Sequence, residues 1–441
     1  MARDAFLSAS FWHGSIDRAR AVLATHPELA GVALDIHVAA TLGDDAAVRR
    51  FLAADPSLAR SKSGPRDVEP LVYLCFSVFL QHDASRSDAF VRAATALLDA
   101  GADPNGGFHD ETHRPNPEWE SVLYGAAGVA HHAGLTRLLL ERGANPNDEE
   151  VPYHGAEGHD NAALRELIAS GKLTAESLDV MLVRKADWHD LEGVRLLCDA
   201  GADPHRMTRF GRTALHHALL RDNSLAIVDL LLDRGADPQL RTRDSGRSAV
   251  AIAARRGRGD VLDSLERRGV PLALDGVDRL IAACARGDGD ECRGIAAAEP
   301  ALVRALVADG GTLLAEFAGT NNAAGLALLL DLGVPIDARY AGDGYFVISA
   351  GSTALHVAAW RASHDAVELL LARDADPDAR DARGHTPLMR AVSACVDSYW
   401  SSRRSPRSVR ALLDAGASPA GVSIPTGYDA IDALLAGAAR R

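Results

Sequence analysis

The spacing of apolar positions between residues 211 and 239 (GRTALHHALLRDNSLAIVDLLLDRGADPQ) predicts two short helices joined by a polar break. Thr213 offers a hydroxyl to the orphan amides of a helix start. An apolar segment, 214–220, follows it, and Arg221-Asp222-Asn223 interrupts. The second segment, 225–233, carries Ile227, Val228, Leu230, Leu231 and Leu232. Gly235 then sits where a left-handed residue closes a helix, and Pro238 prevents continuation. Isolated helices shorter than about 12–15 residues are marginal in water, so neither segment stands alone. Each pair must lean on another of its kind.

Residues 353–377 repeat the plan, with Thr353 at the cap and ALHVAAW behind it. The ending recurs as GADPN from Gly101, GANPN from Gly143, GADPH from Gly201, GADPQ from Gly235 and GASPA from Gly416. Thr213 with His216, Thr353 with His356, and Thr386 open the best matches to a T-P-L-H-x-A pattern. In these features the chain resembles the ankyrin repeat family, whose unit is a turn and two helices in about 33 residues. The resemblance implies an all-α ankyrin-repeat solenoid of about twelve helix-turn-helix repeats with short or hairpin-like finger loops. It also implies that His37, His216 and His356 bond backbone between neighbouring repeats. A single array over 1–441 is expected, and 1–274 with 275–441 is the alternative partition.

Departures from the repeat are informative. The first two units end in HPEL and DPSL rather than in the glycine finger. The apolar run 71–80 reads as one buried inner helix, too short to cross a membrane that needs about 20 residues. Residues 106–117 (GGFHDETHRPNP) read as a long loop, carrying His109 and His113. Thr174 is expected to cap a helix, and 339–352 to form an extended hairpin finger. Residues 397–407 read as a polar insert, and 427–441 as a closing helix whose Arg440-Arg441 suits the negative end of its dipole.

Composition narrows the function. A net charge of −13 argues against general affinity for nucleic acid. The five cysteines are odd in number and form no C-x-x-C, which favours free thiols in a reducing, cytoplasmic compartment. Three lysines among 47 basic residues point to a high-GC, bacterial genome. The amino-terminal residues lack the basic and apolar regions of a signal peptide.

Catalytic signatures such as H-E-x-x-H, G-x-S-x-G and the Walker A loop are absent from the sequence. One constellation remains. Twelve residues before the glycines at 143, 171 and 201 stand His131, His159 and His189, followed in the last two cases by Asp160 and Asp190, with Trp188 before His189. In a regular stack these align at three successive turns. Helices about 8–10 Å apart and zinc–nitrogen bonds of about 2.0–2.1 Å make one shared ion difficult. Turn structure is the leading reading, a partner contact the second, and no metal or other cofactor is expected. Cys284 and Cys292 flank one turn and read as separate half-buried thiols. Candidate interface aromatics are Tyr340, Tyr345 and Phe346 in the finger and Tyr399 and Trp400 in the insert, with core packing as the competing reading. The resemblance implies a non-catalytic, monomeric module that binds another protein, identity unknown, with no nucleic-acid or membrane partner. A ligand- or metal-binding protein or enzyme using the His/Asp/Trp patch of repeats 4–6 is the alternative.

Overall fold

The computed structural model describes residues 2–31, 35–112 and 117–438. His113, Arg440 and Arg441 lie outside the described residues. Two compact units emerge, residues 1–221 with 230–236, and 222–229 with 237–441. Each is a stack of short helices.

The repeat is clearest at 353–375, within the second unit. Thr353 caps the helix Ala354–Trp360 and its N–H donates to His356 Nδ1 at 3.2 Å. With Nδ1 accepting, Nε2 keeps the proton and donates to the His385 carbonyl of the next repeat at 3.0 Å. Burial holds the His356 pKa below its usual range, so the neutral ring that this geometry needs is the one favoured. His37 reaches the Ser61 carbonyl in the same way at 2.8 Å. His216 bonds Thr213 at the corresponding cap. At Thr386 the histidine's place is taken by Met389, whose sulfur lies 3.4 Å from the Thr386 nitrogen. The closing glycines 101, 143, 201, 235 and 416 all have φ between 89° and 100°, where a side chain is strained. Asp374 takes that role at φ 65° in the repeat that lacks the glycine.

Local expectations need correcting at two places. The run 71–80 is two helices, Pro70–Cys75 and Val78–His82. Ser77 divides them, because its hydroxyl accepts from the Phe79 N–H and donates to the Thr41 carbonyl at 2.6 Å. Within 106–117, residues 107–110 are not loop but the first strand of a hairpin: β1 (Gly107–Asp110) pairs antiparallel with β2 (Glu118–Ser121), with Phe108 opposite Glu120 and His109 opposite Trp119. Other features match the sequence reading. Thr174 caps Ala175–Asp187, and 339–352 forms antiparallel bridges at Tyr340–Ser352 and Asp343–Ile348. All five cysteines are free, yet Cys284 and Cys292 are not apart: their buried sulfurs are 3.4 Å from each other.

In the second unit the finger and the polar insert join the core. Tyr340, Phe346, Ile348 and Trp400 cluster with Val357 and Trp360, and the Trp360 indole N–H donates to the Phe346 carbonyl at 2.5 Å. The Arg361 guanidinium lies 4.1 Å over the Phe346 ring and 4.9 Å over that of Trp400. Arg361 and Arg256 both pair with Asp222, and Arg256 also reaches Glu316 at 2.7 Å. Burial alone would raise the Asp222 pKa, but the two guanidiniums overcome it and hold the carboxyl at about 2. Glu316, buried with one of those cations, is raised instead.

Replacing Asp222 leaves the buried Arg361 guanidinium without its carboxylate and Arg256 with Glu316 alone. D222A is expected to lose about 3–5 kcal/mol of stability in urea unfolding. Because the folded pKa is depressed from 3.8 to about 2, this contribution is full above pH 3.8 and fades as the pH falls through about 2. The gap between wild type and D222A should therefore narrow on acidification.

Candidate functional site: an acidic, aromatic recess

A recess in the first unit grows from the chain's amino-terminal turn. Phe11 forms an antiparallel bridge with Ser77, which fixes the turn against the third repeat. Its ring meets Phe76 at 5.6 Å and Phe108 of β1 at 5.3 Å, and Phe76 meets Phe108 at 5.1 Å. This aromatic knot anchors the hairpin. Alternation along the strands then decides what faces inward. Phe108 and Asp110 of β1 are buried while His109 is exposed, and across the register Glu120 goes in while Trp119 goes out.

A second wall comes from the helix Glu150–His154, tied to the hairpin by Ser121. The Ser121 hydroxyl donates to Asp148 at 2.6 Å, and Asp148 caps the Val151 amide at 2.7 Å. One turn apart on that helix, Glu150 and His154 pair at 3.2 Å, and Glu157 meets the other ring nitrogen of His154 at 3.2 Å. Tyr153 carries the Arg184 guanidinium at 4.0 Å over its ring, and Arg184 pairs with Glu157. The resulting cavity is about 610 Å³, with Trp12 and His13 from the turn, Glu118, Glu120 and Tyr124 from the hairpin side, Glu149, Glu150, Tyr153 and His154 opposite, and Arg209 on its wall.

Its titrating groups are shifted toward the protonated form. Burial, reinforced by Glu150, Asp110 and Glu118, pushes the Glu120 carboxyl up to about 8. Burial, with Glu120, Glu150, Glu157 and Glu118 nearby, raises the Tyr124 phenol. Burial would lower His154, but Glu150 and Glu157 raise it to about 9. Groups on both walls thus report a negative potential.

The residues singled out by sequence are dispersed. Trp188 is half-buried and its ring meets exposed His159 at 6.4 Å. Asp190 is buried: it caps Gly193 and pairs at 3.0 Å with Lys185, itself fully buried. The histidine column breaks by one residue, because the left-handed turn position is held by His131, Gly158 and His189. His159 stands one place out, and exposed Asp160 caps Ala162. Among the described residues no group of three or more His, Cys, Asp or Glu could hold a metal ion. Tyr340, Phe346 and Trp400 are buried and do not present a surface; Tyr345 and Tyr399 are exposed. His109 meets Trp119 edge to face, with ring centroids 4.9 Å apart, on the outer face of the hairpin. The recess residues Trp12, Glu120, Tyr124, Tyr153 and His154 escape a sequence reading; the acids at 148–150 were the visible signal, without their distant neighbours.

A family model for ankyrin repeats (three copies) matches residues 182–270 and 280–420, more than half of the chain. The chain belongs to the ankyrin repeat family. Ankyrin repeats are generally protein–protein interaction modules, and the family is typically non-enzymatic. Among curated proteins the chain is similar to Protein glp-1 of Caenorhabditis elegans, 28% identical over 194 residues, covering 38% of this chain and 14% of that protein. Among solved structures it is similar to the ankyrin repeat domain of Bcl-3, described as a unique member of the IkappaB protein family. That match has 22% identity and a TM-score of 0.22, and covers 53% of this chain and 96% of the other. At that TM-score the likeness supports no geometric inference.

His154 gives the site a measurable signature. Its folded pKa of about 9 exceeds the usual 6.5, so the stability it contributes is complete below pH 6.5 and is lost as pH rises through about 9. An NMR titration of its ring should show a midpoint near 9, moving down in E150Q.

Proposed function

We propose that the chain is one ankyrin array over 1–441 that works, without catalysis or cofactor, by binding another protein through its inter-repeat loops. One observation carries this reading: loops rooted in a core present large apolar side chains to water at their tips. In the first unit Phe108 is buried at the hairpin's root while Trp119 is 41% exposed, and Phe210 is 42% exposed. In the second, Phe346 and Trp400 are buried, and beside them Tyr345, Val347 and Tyr399 are 38–54% exposed. A rigid root with an apolar tip lowers the ordering cost of an interface anchor. The acidic balance supports a protein partner over a nucleic acid. Among the described residues no helix is long and apolar enough to cross a membrane. The free cysteines support a reducing, cytoplasmic setting for a monomeric array.

The test is affinity capture from host lysate with the full chain, beside W119A/F210A and Y345S/V347S. The finger 339–352 keeps its full length in these variants because Phe346 and Ile348 are core residues. Wild type should retain a specific protein, and one variant should retain about tenfold less. Equal retention by both variants would sink the loop-tip site; nothing above background would sink the module itself.

A further inference from the structure

We propose that the recess between the β1–β2 hairpin and the helix Glu150–His154 takes the guanidinium of an arginine side chain on a partner polypeptide, an inference that rests on the protein-binding reading. The decisive atom is Glu120 Oε2. Glu120 is 1% exposed and lines the recess, yet this oxygen is buried with no hydrogen-bond partner. Buried polar atoms in folded proteins are ordinarily paired, so an unpaired carboxylate oxygen in the wall of a cavity marks a place for a donor. Glu149 and Glu150 stand on the opposite wall, and Trp12, Tyr124 and Tyr153 supply flat apolar surface.

The chemistry selects a planar organic cation. A guanidinium can stack on an aromatic face while its N–H groups reach carboxylates. The chain already uses that arrangement on the same wall, where Arg184 lies 4.0 Å over Tyr153 and pairs with Glu157. A bare metal ion is a poor fit, since among the described residues no donor set converges and about 610 Å³ far exceeds an ion. That volume suits a side chain arriving with its flanking backbone. Outside it, the exposed His109–Trp119 pair offers the flanking chain a surface.

Loading also moves a proton. Glu120 sits near pKa 8 when the recess is empty, so a bound cation displaces its proton and affinity rises as pH passes through about 8. Asp110 and Glu118 face it from the hairpin, Tyr124 from the helix that follows, and Glu150 and His154 from across the recess. Glu149 stands beside Glu150, and His13 and Arg209 complete the lining.

The experiment uses the full chain with acetyl-Gly-Arg-Gly-amide, its norleucine counterpart and free agmatine, followed by calorimetry and by the Trp12 indole NMR signal. The arginine peptide should bind with a Kd on the order of 1 mM or tighter, shift Trp12, and outcompete agmatine. The norleucine peptide should not bind. E120Q should weaken binding about tenfold or more and remove its pH dependence. Glutamine resembles the protonated acid it replaces, so folding should survive, and E149Q at an exposed position gives a second variant that should weaken binding. Equal binding of the norleucine peptide, or undiminished binding by E120Q and E149Q, overturns the inference. A chain that ignores the arginine peptide but still captures its partner through the loop tips overturns it too, and leaves the module reading standing. Agmatine preferred over the peptide, with no protein captured, overturns the module reading and the polypeptide source together.

Discussion

A helix of seven residues, such as Ala354–Trp360, forms too few internal hydrogen bonds to offset its own ordering in water. It persists because both of its flanks are covered: Gly310–Gly319 packs on one side and Pro387–Val396 on the other. The histidine bond from one repeat to the next repeat's carbonyl belongs to the same dependence, since it gives a loop backbone group a partner from the neighbouring repeat. Every larger feature inherits this constraint. Insertions are accommodated only where they add to the stack or extend beyond it.

The β1–β2 hairpin and the 339–352 finger both add to it. Each sends aromatic residues inward, Phe108 in one and Tyr340 and Phe346 in the other, and each keeps a different set outside. The charged contacts beneath them have unlike outcomes. Asp222 is matched by two guanidiniums and stays ionised, whereas at Glu120 burial and the neighbouring acids outweigh His154 and push the carboxyl toward neutrality. The first is a completed structural joint; the second is an unfilled demand.

What was legible in the sequence was what is settled within a few residues. Thr353 and His356 complete each other's hydrogen bonds three positions apart, and the closing glycines answer to local backbone angle, so both can be read from spacing. The break at Ser77 was hidden because a single small residue in an apolar run gives no periodic signal. Trp400 reads as exposed because its neighbours are arginines, yet Arg361 and Arg403 lie over its ring and are part of its cover. The recess was out of reach for a further reason. It joins Trp12 to Tyr124 and to residues near 150, and no local pattern links segments so far apart.

The closing glycines carry one more implication. At Gly101, Gly143, Gly201, Gly235 and Gly416 a Cβ would meet nothing within 4 Å, so space is not what excludes other residues. Their φ angles, all near 95°, lie on the side of backbone space that L-residues avoid and D-residues favour. The requirement is therefore one of handedness. A mirror-image alanine made by chemical synthesis would meet the backbone requirement at these five places, and would restrict the unfolded chain where glycine leaves it free.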